Sequence, residues 1–223
     1  MPPTDGTSES ELPVVWAVVV AAGAGSRYGR PKQFDLLGGE PVVARSVSAC
    51  RSVAAGVVLV LPEDQLDADY GADVVVAGGR TRSDSVRCGL AAVPGEATVV
   101  VVHDAARPLA GAGLFAAVVA AVGADGAEGA TCGLPVSDTL KRVGQGGRVT
   151  STVERAGLVS VQTPQAFVAA TLRRAHRGDA QATDDAALLE ALGATVVVVP
   201  GDPRNVKLTT PADLAVAEHL LGG

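Results

Sequence analysis

Short β-branched runs recur along this chain at residues 15–21, 57–61, 73–77, 98–103, 129–135 and 195–199, and most are apolar throughout. A run that is apolar at every position, rather than at every second one, marks a strand buried on both faces. Helical patterns separate these runs, near 41–52, 83–93, 113–122, 164–176, 184–192 and 211–221. Alternation of such strands with helices predicts an α/β protein with a doubly wound, mostly parallel sheet. The last helix announces its start with Thr210-Pro211-Ala212-Asp213: a capping Thr, Pro at the first helical position and an acid at the third. Ligands of such sheets sit beyond the carboxyl ends of the strands.

One segment breaks the rhythm. Two alternating polar and β-branched runs, 138–143 and 148–153, flank Gly144-Gln145-Gly146-Gly147 and predict a β-hairpin arm over about 137–155. It carries too little apolar surface to fold alone, and a second subunit is the natural support. Residues 1–13 read as a disordered tail and 14–223 as a single domain. The tail has no basic n-region of a secretory signal, and the apolar run after it is too short to span a bilayer. Apolar residues make up 48% of the chain but aromatics only 3%, so the core is built from Val, Ala and Leu. A net charge of −6 argues against nucleic acid or an anionic membrane as partner, so any anion must be held by local clusters. Cys50, Cys88 and Cys132 are widely spaced and odd in number, which fits reduced thiols in a cytoplasmic protein rather than a disulfide framework or zinc site.

The chief local cluster follows the first run. Ala21-Ala22-Gly23-Ala24-Gly25-Ser26-Arg27 leads to Pro31-Lys32-Gln33, so a buried strand empties into a Gly-rich loop bearing two cations. Such a loop exposes backbone N–H groups and suits a polyphosphate, although an ordinary tight β–α turn has the same look. Two common versions of the phosphate loop fail. Tyr28 stands where the dinucleotide fingerprint needs a small residue, and Lys32 lies between Pro31 and Gln33 instead of closing a Gly-Lys-Ser/Thr motif.

Asp104 ends a central apolar strand within His103-Asp104-Ala105-Ala106-Arg107-Pro108. In a polyphosphate site such an acid holds Mg²⁺, directly or through water, or bonds a ribose hydroxyl. Gly78-Gly79 precedes a helix that Thr81 or Ser83 would cap, and Ser85 offers a hydroxyl to a base edge. Thr183-Asp184-Asp185 opens another helix, where acids also suit the macrodipole. Only three lysines occur, Lys32, Lys141 and Lys207, and two of them fall at candidate sites. His176 and His219 lie on predicted helices and are expected to be solvated.

Together the first loop, the Gly78-Gly79, Arg82, Ser85 and Val86 set, the His103-to-Pro108 run, Thr163-Pro164-Gln165, Thr183-Asp184-Asp185 and Asn205-Val206-Lys207-Leu208-Thr209 resemble the 2-C-methyl-D-erythritol 4-phosphate cytidylyltransferase family. The likeness runs from about residue 15 to 221. It implies a Rossmann-like nucleotidyltransferase fold and a reaction joining CTP to methylerythritol 4-phosphate with release of pyrophosphate, assisted by Mg²⁺ or another divalent cation. By the same resemblance Arg27, Lys32, Arg155 and Lys207 are catalytic. Ala21, Ala22, Gly23, Gly79, Ser85 and Asp104 bind CTP, with Asp104 also facing the metal. Arg107, Thr139, Arg155, Thr183 and Lys207 hold the sugar-alcohol phosphate. The arm would cross to the other subunit of a homodimer, so that Thr139 and Arg155 act in trans. Arg80 and Asp185 depart from the family's usual residues, and the chain resembles the monofunctional form. A pentitol (ribitol) 5-phosphate cytidylyltransferase is the close alternative; a nucleotide-binding protein without turnover is the distant one.

Overall fold

The six apolar runs and one further strand form a seven-stranded sheet. A computed structural model describes residues 12–23, 25 and 28–222. Residues 1–11 of the expected tail, and Arg27, lie outside the described residues. In chain order the elements are β1 (Val15–Val20), β2 (Leu36–Leu37), β3 (Glu40–Pro41), α1 (Val42–Cys50), β4 (Gly56–Leu61), β5 (Val74–Ala77), α2 (Arg82–Ala92), β6 (Val99–Asp104), α3 (Ala112–Ala121), β7 (Gly129–Pro135), β8 (Leu140–Val143), β9 (Val149–Val153), β10 (Val159–Val168), α4 (Ala169–Ala175), α5 (Asp185–Glu190), β11 (Val196–Pro200) and α6 (Pro211–Gly222). The sheet order is β11-β7-β10-β6-β1-β4-β5. Its core strands β4 and β6 are buried along their whole length, as their unbroken apolar pattern requires.

Alternate residues of each strand feed two cores. Val15, Ala17 and Val19 pack with residues of α1 and α3 on one face, while Val18, Val58 and Val60 pack with residues of α2, α4 and α5 on the other. Helix α6 closes a third cluster, in which Ala217 meets Leu37, Val42 and Leu208. At its start Pro211 is the first helical residue, as expected, and the Asp213 carboxylate accepts from the Thr209 and Thr210 N–H groups at 2.7 and 2.6 Å.

Two expectations need correction. The helix expected over 164–176 begins only at Ala169, because residues 159–168 are strand β10, antiparallel to both β6 and β7. Pro164 disguised it; the ladder to β7 is irregular between Gln162 and Gln165, which is where a strand tolerates proline. His176, expected in water, is buried where α4 ends against α5. The hairpin β8–β9 pairs within itself as a separate two-stranded sheet, with Val143 and Val149 exposed.

Candidate functional site

Strand ends and two loops enclose a cavity of about 420 Å³ at the carboxyl edge of the sheet. From β1 the chain passes through Ala21, Ala22 and Gly23, all of which line it. Gly25 takes φ +65°, and a Cβ there would lie 2.0 Å from the Arg30 carbonyl oxygen, so only glycine permits the close return of the loop. Buried Gln33 fastens that return, donating from Nε2 to the Ala21 and Gly23 carbonyls at 2.7 and 3.1 Å. Lys32, beside it, lines the cavity, and its charge also reaches Asp213.

The opposite lip is the 78–81 loop. A Cβ on Gly78 would lie 2.2 Å from the Ala22 Cβ, so the two loops touch. Thr81 and Asp84 form a reciprocal capping box at the start of α2. Ser85 accepts from the Gly79 N–H at 3.2 Å and donates to the Thr81 carbonyl at 2.9 Å. Its hydroxyl therefore shapes the Gly79 loop and keeps one acceptor position for a ligand.

Asp104 forms the floor. Its N–H donates to Thr163 Oγ1 at 3.0 Å, its Oδ1 accepts from Arg82 Nε at 3.0 Å and its Oδ2 accepts from Lys207 Nζ at 2.6 Å. Burial disfavours the carboxylate, but Arg82 and Lys207 outweigh it and hold the group well below the usual range. Burial likewise weakens the Arg82 cation, yet Asp104 and Asp185 push its pKa above the ordinary arginine value. Neighbouring His103 is enclosed, bonded to Thr163 Oγ1 at 3.1 Å and the Arg107 carbonyl at 3.2 Å, and burial pushes its pKa down to about 4. It is neutral at pH 7.

The structure thus brings Ala21, Ala22, Gly23, Lys32, Gly79, Ser85, Asp104 and Lys207 to one cavity. Arg107 is not among its lining residues. Its guanidinium donates to the Asn205 carbonyl at 2.7 Å and the Val161 carbonyl at 3.4 Å, bracing the Lys207 segment against β10. Thr183 is exposed just ahead of Asp184, which caps α5. Thr139 is exposed in the segment leading to β8, and Arg155 donates to the Ser137 carbonyl beside a separate depression, so one chain does not bring either to the cavity. Sequence reasoning missed the supports: Gln33, Thr163, and buried Asn205, whose Nδ2 donates to the Thr163 carbonyl at 2.9 Å. It also assigned nothing to Arg82. The sole signal was their presence inside otherwise informative motifs.

A cavity lined by glycine loops and cations, at the carboxyl edge of a doubly wound sheet, defines a nucleotide-binding α/β protein of the nucleotidyltransferase class. The sequence pattern of IspD: 2-C-methyl-D-erythritol 4-phosphate cytidylyltransferase matches residues 15–223, and the chain belongs to that family. It is 46% identical over 230 residues to 2-C-methyl-D-erythritol 4-phosphate cytidylyltransferase of Rhodococcus jostii, covering 96% of this chain and 97% of that protein. It is also 47% identical over 236 residues to the bifunctional enzyme IspD/IspF of Clavibacter michiganensis, covering 99% of this chain but only 57% of that protein. This chain therefore spans little more than half the length of such bifunctional relatives. Among solved structures, the 2-C-methyl-D-erythritol 4-phosphate cytidylyltransferase of Thermus thermophilus superposes with a TM-score of 0.79 at 37% identity, covering 95% of this chain and all of that one. The 4-diphosphocytidyl-2C-methyl-D-erythritol synthase of Anaerococcus prevotii gives 0.81 at 27% identity, covering 95% and 99%. Among the described residues no helix is long and apolar enough to cross a membrane, and no three His, Cys, Asp or Glu side chains gather as a metal cage.

Proposed function

We propose that this chain joins CTP to 2-C-methyl-D-erythritol 4-phosphate, giving 4-diphosphocytidyl-2-C-methyl-D-erythritol and pyrophosphate. The observation that carries the reading is Asp104 held between Arg82 and Lys207 at the floor of a cavity closed by two glycine loops. A phosphate oxygen of the acceptor bonds to the α-phosphorus of CTP, and the bond from that phosphorus to the β-phosphate bridging oxygen breaks. The nucleophile is already an anion at neutral pH, so the site needs no general base. Its work is to position two anions and neutralise their charge. Lys32 and Arg27 serve the triphosphate, Lys207 serves the α-phosphate and the incoming phosphate, and the loop backbone at Ala21, Ala22 and Gly79 reads cytosine.

The donor set fits a Mg²⁺ that enters with CTP rather than a resident metal, since Asp104 is the acid among the described lining residues and its oxygens keep lone pairs beyond their cation bonds. Asp104 would hold the ion, directly or through water; bound Mg²⁺ supplies charge neutralisation to the phosphates. We also infer a homodimer in which Thr139 and Arg155 of each arm complete the partner's acceptor pocket, with Arg107 and Thr183 near it. The support is a hairpin whose two strands, among the described residues, form a sheet of their own and leave Val143 and Val149 exposed. A cytoplasmic setting is supported by three free thiols.

Pyrophosphate release with CTP, Mg²⁺ and either methylerythritol 4-phosphate or ribitol 5-phosphate tests the reading. Turnover is expected with the first. Turnover with ribitol 5-phosphate alone would establish the pentitol alternative, and none with either would leave a binding protein.

A further inference from the structure

Behind Asp104 lies a second layer that the reaction as described does not use. Arg82 reaches past Asp104 to Asp185, with Nη1 donating to Oδ2 at 2.8 Å, and His176 Nε2 meets the other Asp185 oxygen at 2.9 Å. Asp185 and His176 are only 1% and 5% exposed. The Asp185 carboxylate is not the cap of its own helix: Asp184 takes that place by accepting from the Ala187 N–H at 3.1 Å, while the two Asp185 oxygens meet Arg82 and His176. Stability does not explain the cluster either. Arg82 Nη2 and His176 Nδ1 are buried without a hydrogen-bond partner among the described residues, and a buried ionic group of this kind is commonly matched in stability by apolar side chains.

We propose that Asp185, oriented by His176, is a positioning residue that acts on the transfer site through Arg82. The inference rests on the function proposed above. Arg82 lines the cavity, and its charge is divided between two carboxylates. Asp185 draws the guanidinium back from the opening, so that it fixes the Asp104 carboxylate while Oδ2 stays aimed at Lys207. Without Asp185 the cation is released toward the cavity, where it binds triphosphate in the ground state and pulls Asp104 out of line. Tighter ground-state binding with slower chemistry is the signature of that loss.

The test is turnover of the full chain with CTP, methylerythritol 4-phosphate and Mg²⁺, with calorimetric CTP titration in parallel. It compares wild type, Asp185→Asn, Asp104→Asn and the double variant. We expect Asp185→Asn to lower kcat about tenfold while KM and Kd for CTP fall about threefold. In the Asp104→Asn background the further kcat loss should be under about threefold, because the effect travels through Asp104. Equal losses in both backgrounds, or a weakened CTP affinity, overturn the role. Should Asp185→Asn not fold, His176 carries the same test: His176→Gln keeps a donor and should stay near wild-type kcat, while His176→Leu falls about tenfold. Equal kcat for those two overturns it. A wild type that does not turn over methylerythritol 4-phosphate defeats the proposed reaction, and the CTP titration then still decides the role of Asp185.

Discussion

His103 shows how a single enclosed side chain sets a pH limit on the fold. It is buried against Thr163 and the Arg107 carbonyl, with its pKa pushed from 6.5 down to about 4. The unfolded chain takes up a proton near pH 6.5 that the folded chain refuses until about pH 4. Stability is therefore full above pH 6.5 and drains as pH falls through that window, by about 3 kcal/mol. Urea unfolding at stepped pH should show this decline, and His103→Gln should flatten it; an unchanged slope would remove His103 as its source. At this scale the legible residues were Asp104, at the end of β6, and Lys32 and Lys207, on the loops that follow β1 and β11, where a charge near an apolar run stands out. Those that hold them were not legible. Arg82 and Asp185 lie 103 residues apart, and Asn205 and Thr163 lie 42 apart, so only the fold makes them neighbours. His176 was misread because helical spacing says nothing of what covers the end of a helix.

Strand β10 is the element that sequence periodicity hid, and it lies inside the sheet between β7 and β6. The six runs legible as strands all appear, because β-branched blocks buried on two faces have few other uses. In β10 a proline and glutamines break the pattern, and its apolar content, Ala166, Phe167 and Val168, merges with the following helix. Phe167 anchors the strand, fully buried and opposed by Gly129, where a Cβ would lie 2.6 Å from the ring. Phe167→Ala should destabilise the fold by about 3–5 kcal/mol, measured by urea unfolding. A loss below about 1 kcal/mol would place the ring outside the cooperative core.

At the scale of the whole molecule, a chain of net charge −6 binds polyanions only by concentrating its cations at one edge, and the proposed dimer adds Arg155 to that edge from outside. Subunit mixing tests the sharing. In a hybrid of Lys32→Ala and Arg155→Ala, one site carries both changes and the other neither. Random pairing should then restore roughly a quarter of wild-type turnover from two nearly inactive proteins. No recovery despite confirmed subunit exchange would confine each site to one chain. The reversed direction of β10 has its own consequence. A parallel strand reaches the ligand edge only at its end, whereas β10 starts there, with Val159 beside Pro135 at the close of β7. The hairpin spliced between these two strands is thus an overhang on the working edge, rooted in the sheet but woven into none of it. Under the proposed reaction the arm's share of the acceptor pocket is thereby separable from the rest of the site: arms exchanged between relatives should alter acceptor preference while the cavity lined by Ala21, Gly79 and Asp104 keeps its shape.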